Sequence, residues 1–92
     1  MAGKFLHVGF GNLLPVDRVV AIVGPGSAPV KRMIREAREG GTCVDMTAGR
    51  KTKAVLVLDS GHVALAAITP ETIAGRLEGL LGGPSEGAET RP

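Results

Sequence analysis

The chain has 92 residues, room for one small domain and not for two hydrophobic cores. Hydrophobic residues make up 43% of it, yet Trp and Tyr are absent and Phe5 and Phe10 are the sole aromatics, so the core is predicted to be Val, Leu, Ile, Ala and Met. Its net charge is +2, and its lone Cys43 excludes an intramolecular disulfide.

Other classes fall away on the same counts. Cys43, His7 and His62 are too few for a four-ligand zinc site without carboxylates or a second chain. The longest apolar runs, Ala54–Leu58 and Val63–Ile68, are far below the roughly 20 residues that span a bilayer. The first ten residues carry Lys4 and His7 rather than an apolar stretch, so no signal peptide is expected. A cytoplasmic protein with no membrane partner follows.

In chain order, Lys4–Phe10 is predicted as a first strand, closed by the Gly9-Phe10-Gly11-Asn12 turn. Arg18–Val23 is a β-branched run of strand length, broken by Gly24-Pro25-Gly26. Ser27 is placed as an N-cap, with Pro29 in the first helical turn, where a missing N–H costs nothing. Val30, Met33, Ile34 and Ala37 form the apolar stripe of that helix, and Gly40-Gly41 ends it. Thr42–Thr47 reads as a third strand and Thr52–Asp59 as a fourth, with Ala48-Gly49-Arg50-Lys51 as the loop between them. Ser60-Gly61 turns the chain into a fifth strand, His62–Ile68. Thr69-Pro70-Glu71 opens a second helix with the stripe Ile73, Leu77, Leu80 and Leu81. Residues 82–92, rich in Gly, Pro, Ser and Glu, are expected to be a disordered tail, leaving 1–81 as the domain. The tail carries −1, so the rest carries +3.

The fourth and fifth strands are apolar on both faces. Ala54, Leu56 and Leu58 alternate with Val55 and Val57, and Val63, Leu65 and Ala67 with Ala64, Ala66 and Ile68. Such a sheet needs covering on both sides. Two helices of the same chain can do this, or a neighbouring subunit can; the smallness of the domain favours the neighbour.

Gly49-Arg50-Lys51-Thr52-Lys53 is the sharpest chemical signal: a glycine that frees the backbone, then three cations. A basic hairpin of this kind suits duplex DNA, and it equally suits a solvated loop tip. Arg18, beside Asp17, is open to two readings, a surface ion pair or a cation on the same edge as the Arg50 loop. Lys31, Arg32, Arg35 and Arg38 give the first helix a basic outer face, diluted by Glu36 and Glu39 and best read as a solvated surface. Gly24-Pro25-Gly26-Ser27 lacks the endings of a phosphate or dinucleotide loop. Asp45 and Asp59 have no His close in sequence, Cys43 reads as an inert core thiol, and no catalytic set emerges. No cofactor is expected.

Several of these segments occur together in one known family. Val8-Gly-Phe-Gly-Asn12, Asp17-Arg18, Ile22 through Ile34, Gly49-Arg50-Lys51-Thr52, Asp59-Ser60-Gly61-His62 and Thr69-Pro70-Glu71-Thr72 follow one another as they do in the RemA family of bacterial matrix regulators, which the chain resembles from Lys4 to Leu77. The resemblance implies a non-enzymatic transcriptional regulator of biofilm type. Its subunits would close into a ring, a cyclic homo-oligomer of octamer-like type, that binds double-stranded DNA over several weak sites. It carries DNA contact to Arg18, Arg50 and Lys51; beside these, Lys53 and Arg32 are read from the sequence as secondary contacts. Two positions depart from the family pattern: Ala48 stands where an aromatic is usual, and Lys51 where a second arginine is usual. Lysine keeps the charge but not the planar fork.

The expectation is therefore an α+β domain, a largely antiparallel sheet of about five strands with two helices, assembled as a DNA-binding ring. The rival expectation is an oligomeric scaffold that docks an acidic protein, or a phosphate ligand at the Gly26-Ser27 helix start.

Overall fold

The structure is a computed structural model that describes residues 4–81; the predicted tail lies outside the described residues. The elements in chain order are β1 (Phe5–His7), β2 (Leu13–Pro15), a 3₁₀ turn (Val16–Arg18), β3 (Val19–Val23), α1 (Ala28–Gly40), β4 (Cys43–Asp45), β5 (Ala54–Leu58), β6 (Val63–Ala66) and α2 (Pro70–Leu81).

The predicted α+β class holds, with two helices. The sheet differs from expectation in two ways. Among the described residues there are six strands in two sheets: the segment predicted as one strand ends early, doubles back, and pairs with Leu13–Pro15 as the antiparallel β1–β2 hairpin. Phe10 at φ 55° and Gly11 at φ 76° reverse the chain, and the Val8 N–H donates across the turn to the Asn12 carbonyl. Sequence reading passed over β2 because it is short and ends on a proline that cannot extend a ladder. The second difference is in the four-stranded sheet, ordered β3-β5-β6-β4, where β4 pairs parallel to β6 while the other two pairings are antiparallel.

Alternation along β5 and β6 sorts the core as the sequence predicts. Ala54, Leu56, Ala64 and Ala66 join Leu6, Val8, Leu14 and Ile73 on one face. Val55, Val63 and Leu65 join Ala37 on the other, with Val30, Met33, Ile34 and Cys43 packed against them. α1 therefore covers one face, while α2 and the β1–β2 hairpin cover the other. Both apolar faces are closed within the chain, contrary to the expectation that a neighbouring subunit closes one of them. The hairpin adds cover that two helices alone would not supply, and it leaves Val20 on the edge strand β3 65% exposed.

The helix ends follow the local chemistry. Ser27 Oγ accepts the Val30 N–H at 3.3 Å, and Gly41, at φ 80°, ends α1 in the left-handed conformation with its N–H on the last carbonyls. Thr69 Oγ1 accepts the Thr72 N–H at 3.2 Å and starts α2. Lys4 Nζ donates to the Leu80 carbonyl at 2.8 Å near the end of that helix. In the α2 stripe Ile73 is fully buried and Leu77 and Leu80 pack on the core, but Leu81 is 64% exposed and falls off it.

Candidate nucleic-acid interface

The sharpest basic segment connects β4 to β5. These strands are not neighbours, since β6 lies between them, so residues 46–53 form a crossover past the end of β6 and not the hairpin tip the sequence suggested. The loop is stitched to that end at both of its margins. The Met46 N–H donates to the Leu65 carbonyl at 2.9 Å, and the Lys53 N–H to the Ala66 carbonyl at 2.8 Å.

Between these anchors the backbone is held in a defined turn. The Arg50 N–H donates to the Thr47 carbonyl at 2.9 Å, and the two central residues, Ala48 and Gly49, have φ of 54° and 80°. Positive φ at both positions is the signature of a primed turn. Its first residue is clamped from behind: Asp45 Oδ1 accepts the Thr47 hydroxyl at 2.6 Å and the Thr47 N–H at 2.9 Å. Thr47 is only 2% exposed, the buried polar residue at the base of the loop. These two hydrogen bonds, the hydroxyl's first, hold the Asp45 carboxyl below the usual aspartate value; the positive charge of Arg38 acts in the same sense and slight burial opposes it.

Arg50, Lys51 and Lys53, placed together by the sequence, are all exposed on this loop. The Gly9–Asn12 turn of the β1–β2 hairpin lies beside it. Asn12 Nδ2 donates to the Gly9 carbonyl in its own turn at 3.0 Å and to the Met46 carbonyl in the loop at 3.2 Å. The Arg50 guanidinium carbon sits over the Phe10 ring, 5.4 Å from its centroid, in cation–π range.

Arg18 is elsewhere. It closes the 3₁₀ turn before β3 and meets the far end of β5, where the Asp59 N–H donates to its carbonyl at 2.9 Å. Its Nη1 bonds both carboxylate oxygens of Asp59, at 3.1 and 3.2 Å, so its ion partner is Asp59 and not the adjacent Asp17. With the side chains 60% and 43% exposed, this is a surface pair. β5 separates Arg18 from the Arg50 loop by about 17 Å at roughly 3.4 Å per residue. Within one subunit the two do not share an edge. Arg32 is exposed on α1, the layer across the sheet from the Phe10 turn.

The remaining candidates are absorbed by local structure. The Ser27 hydroxyl, which would greet an anion at the start of α1, is committed to the Val30 N–H. His62 Nδ1 and Ser60 Oγ lie 2.7 Å apart within the β5–β6 turn. Cys43 packs, half-buried, against the α1-side core. Among the described residues no three His, Cys, Asp or Glu side chains gather as metal ligands, and no helix is long and apolar enough to cross a membrane. Phe10, Asn12, Asp45 and Thr47 were not singled out in the sequence as parts of a site. The signal for Phe10 was there, in an aromatic set between glycines in a chain with only one other aromatic.

Residues 5–77 match the family model described as RemA-like, extracellular matrix regulatory protein A-like. The chain belongs to the RemA-like family. A relative from Synechococcus elongatus, named as a regulatory protein, is 60% identical over 77 residues, covering 84% of this chain and 88% of that protein. One from Dehalococcoides mccartyi, similarly named, is 58% identical over 80 residues, covering 87% and 83%. A third, from Bacillus cereus, is 56% identical over 77 residues, covering 84% and 88%. All three relatives are named as regulatory proteins. The matched span contains all five predicted contact residues, Arg18, Arg32, Arg50, Lys51 and Lys53.

Proposed function

We propose that this RemA-like chain is a transcriptional regulator that binds duplex DNA multivalently, as a cyclic homo-oligomer, and controls genes of the extracellular-matrix type from the nucleoid. The observation that carries the reading is the crossover loop of residues 46–53. Its backbone is fixed at both margins and in the middle, while Arg50, Lys51 and Lys53 stay exposed. A loop that were only a solubilising tip would have no need of that bracing. Fixed cations lose less freedom on meeting phosphate, and an arginine edge can follow a groove.

Arg18, once released from Asp59, would add a second cationic point at the far end of β5, and Arg32 a third on α1. Three or four phosphate contacts per subunit are too few for tight binding at physiological salt. Copies on one ring turn later contacts into intramolecular ones, raising avidity by about 10²–10⁴. A head-to-tail interface that closes generates such a ring. Apolar side chains left at the surface, among them Val20 on the edge strand β3 and Phe5 and Leu13 on the hairpin, are available to it.

The test is a fluorescence-anisotropy titration of a labelled duplex across a salt series, with light scattering after size exclusion on the same sample. Salt-steep binding by an oligomer is expected. Changing both Arg50 and Lys51 to Ala should reduce the slope by about 0.9 for each phosphate that is no longer neutralised. An oligomer indifferent to duplex at low salt, yet retained by heparin, would overturn this reading in favour of an acidic protein partner.

A further inference from the structure

Phe10 is an unusual expenditure for this chain. It is one of two aromatic residues, and it stands 53% exposed at the tip of the β1–β2 hairpin instead of in the core. Its backbone, at φ 55°, is in the left-handed region that a bulky side chain disfavours and a glycine adopts freely. Burial and backbone both argue against an aromatic here. Strain held at an exposed side chain points to what that side chain touches.

It touches Arg50. The guanidinium lies over the ring at 5.4 Å, and the single ion pair among the described residues is the one made by Arg18, so no carboxylate of these residues holds Arg50. Two further features keep ring and guanidinium in register. Asn12 Nδ2 ties the Phe10 turn to the Met46 carbonyl at the loop's margin, and the Thr47–Arg50 turn fixes the backbone from which the arginine departs. We propose that Phe10 is the positioning residue for Arg50. The ring takes the flat face of the guanidinium, whose N–H donors lie in its plane and stay open at the rim. An acidic partner would also hold Arg50, but it would cancel the charge and occupy the donors. A ring holds it and leaves both available to a phosphate or a groove edge. The inference rests on the DNA-binding reading for its consequence, and on geometry alone for the stack.

Two measurements on the full chain separate these. The first needs no DNA: NMR of the Arg50 side chain in the wild type, Phe10→Leu and Phe10→Tyr proteins. Leu keeps the bulk and the backbone strain without a ring; Tyr keeps the ring. Ring-current shifts on the Arg50 side-chain protons are expected in the wild type and the Tyr variant and absent in the Leu variant. Unshifted Arg50 protons in the wild type would overturn the proposal outright.

The second is a double-mutant cycle on duplex affinity. Phe10→Leu is expected to weaken binding by about two- to five-fold per engaged contact, the worth of an exposed cation–π pair, with Phe10→Tyr restoring it. In an Arg50→Ala background Phe10→Leu should change nothing further. Equal losses in both backgrounds would mean that Phe10 acts without Arg50, by its own contact or by folding the turn, and would sink the positioning role. If the wild type fails to bind duplex at all, the DNA reading falls, and the NMR shifts still decide the stack.

Discussion

Gly49→Ala and Ala48→Gly are opposite perturbations of one turn, and their signs follow from the backbone. Gly49 sits at φ 80°, and a Cβ built there meets nothing within 4 Å, so packing contributes no penalty. What remains is the clash of Cβ with the following carbonyl in the left-handed region, about 1–2 kcal/mol. Against it stands the lower entropy of an unfolded chain with Ala in place of Gly, about 0.4–1 kcal/mol. The balance is a destabilisation of about 1 kcal/mol. Ala48, at φ 54°, already bears that clash. Its replacement by Gly relieves the clash and raises unfolded-state entropy, for a net stabilisation of similar size. In a domain of this length about 1 kcal/mol moves the melting temperature by about 4–8 °C. Thermal and urea unfolding followed by far-UV circular dichroism, at one fixed subunit concentration, reads both shifts. A Gly49→Ala protein as stable as wild type, or an Ala48→Gly protein that melts lower, would refute the left-handed turn as the conformation that carries Arg50.

Three further outcomes are expected. The Asp45 carboxyl is depressed below its ordinary value by Thr47, so it contributes stability that is present above the unfolded-state pKa of about 3.9 and lost as pH falls through the lower folded value. Urea unfolding between neutral pH and pH of about 3 should show this acid loss in the wild type and a flatter curve in Asp45→Asn. Leu56→Ala, at a fully buried site, should cost about 2–5 kcal/mol, a large share of a small domain's stability, visible as a collapsed urea midpoint. Asp59→Asn should leave the melting temperature nearly unchanged, because the exposed Arg18–Asp59 pair is worth at most about 1 kcal/mol. It should also tighten duplex binding and steepen its salt slope by freeing Arg18 and removing a negative charge; weaker binding would show that Arg18 works only when Asp59 holds it.

Periodic segments were legible in the sequence and non-local pairings were not. α1 could be placed from Ser27, Pro29 and Gly41 because caps and stripes are local. The two-faced core of β5 and β6 could be read from strict alternation. The parallel partnership of β4 with β6 was out of reach: Cys43–Asp45 is a short strand, and nothing in it says which edge it joins. That one pairing turns the basic segment from a hairpin tip into a crossover, and so decides where Arg50 lies relative to Arg18. The hairpin β1–β2 was hidden for a different reason. Its Gly9-Phe10-Gly11-Asn12 turn was legible, but the returning strand Leu13–Pro15 is too short to show alternation and ends on a proline. The cations themselves were visible as a cluster, but Asn12, Asp45 and Thr47, which fix the loop, are ordinary polar residues whose work appears only when distant segments are brought together.

The separation of the two cationic points bears on how a duplex would be held. Adjacent phosphates on one strand are about 3.4 Å apart along the axis, so the roughly 17 Å between Arg18 and the Arg50 loop corresponds to about five steps, half a helical turn. Phosphates that face each other across the major groove, about 12 Å wide between their surfaces, are separated by a similar span, so one straight duplex can meet both points of a single subunit across that groove. On the proposed ring the same pair of contacts would recur on each copy, and the spacing between subunits would set how many of them one duplex engages. The bracing of the Arg50 loop then has a physical purpose. Repeated weak contacts add only if each copy offers its cation in the same place, and a guanidinium laid on a fixed ring varies less from copy to copy than one on a free tip.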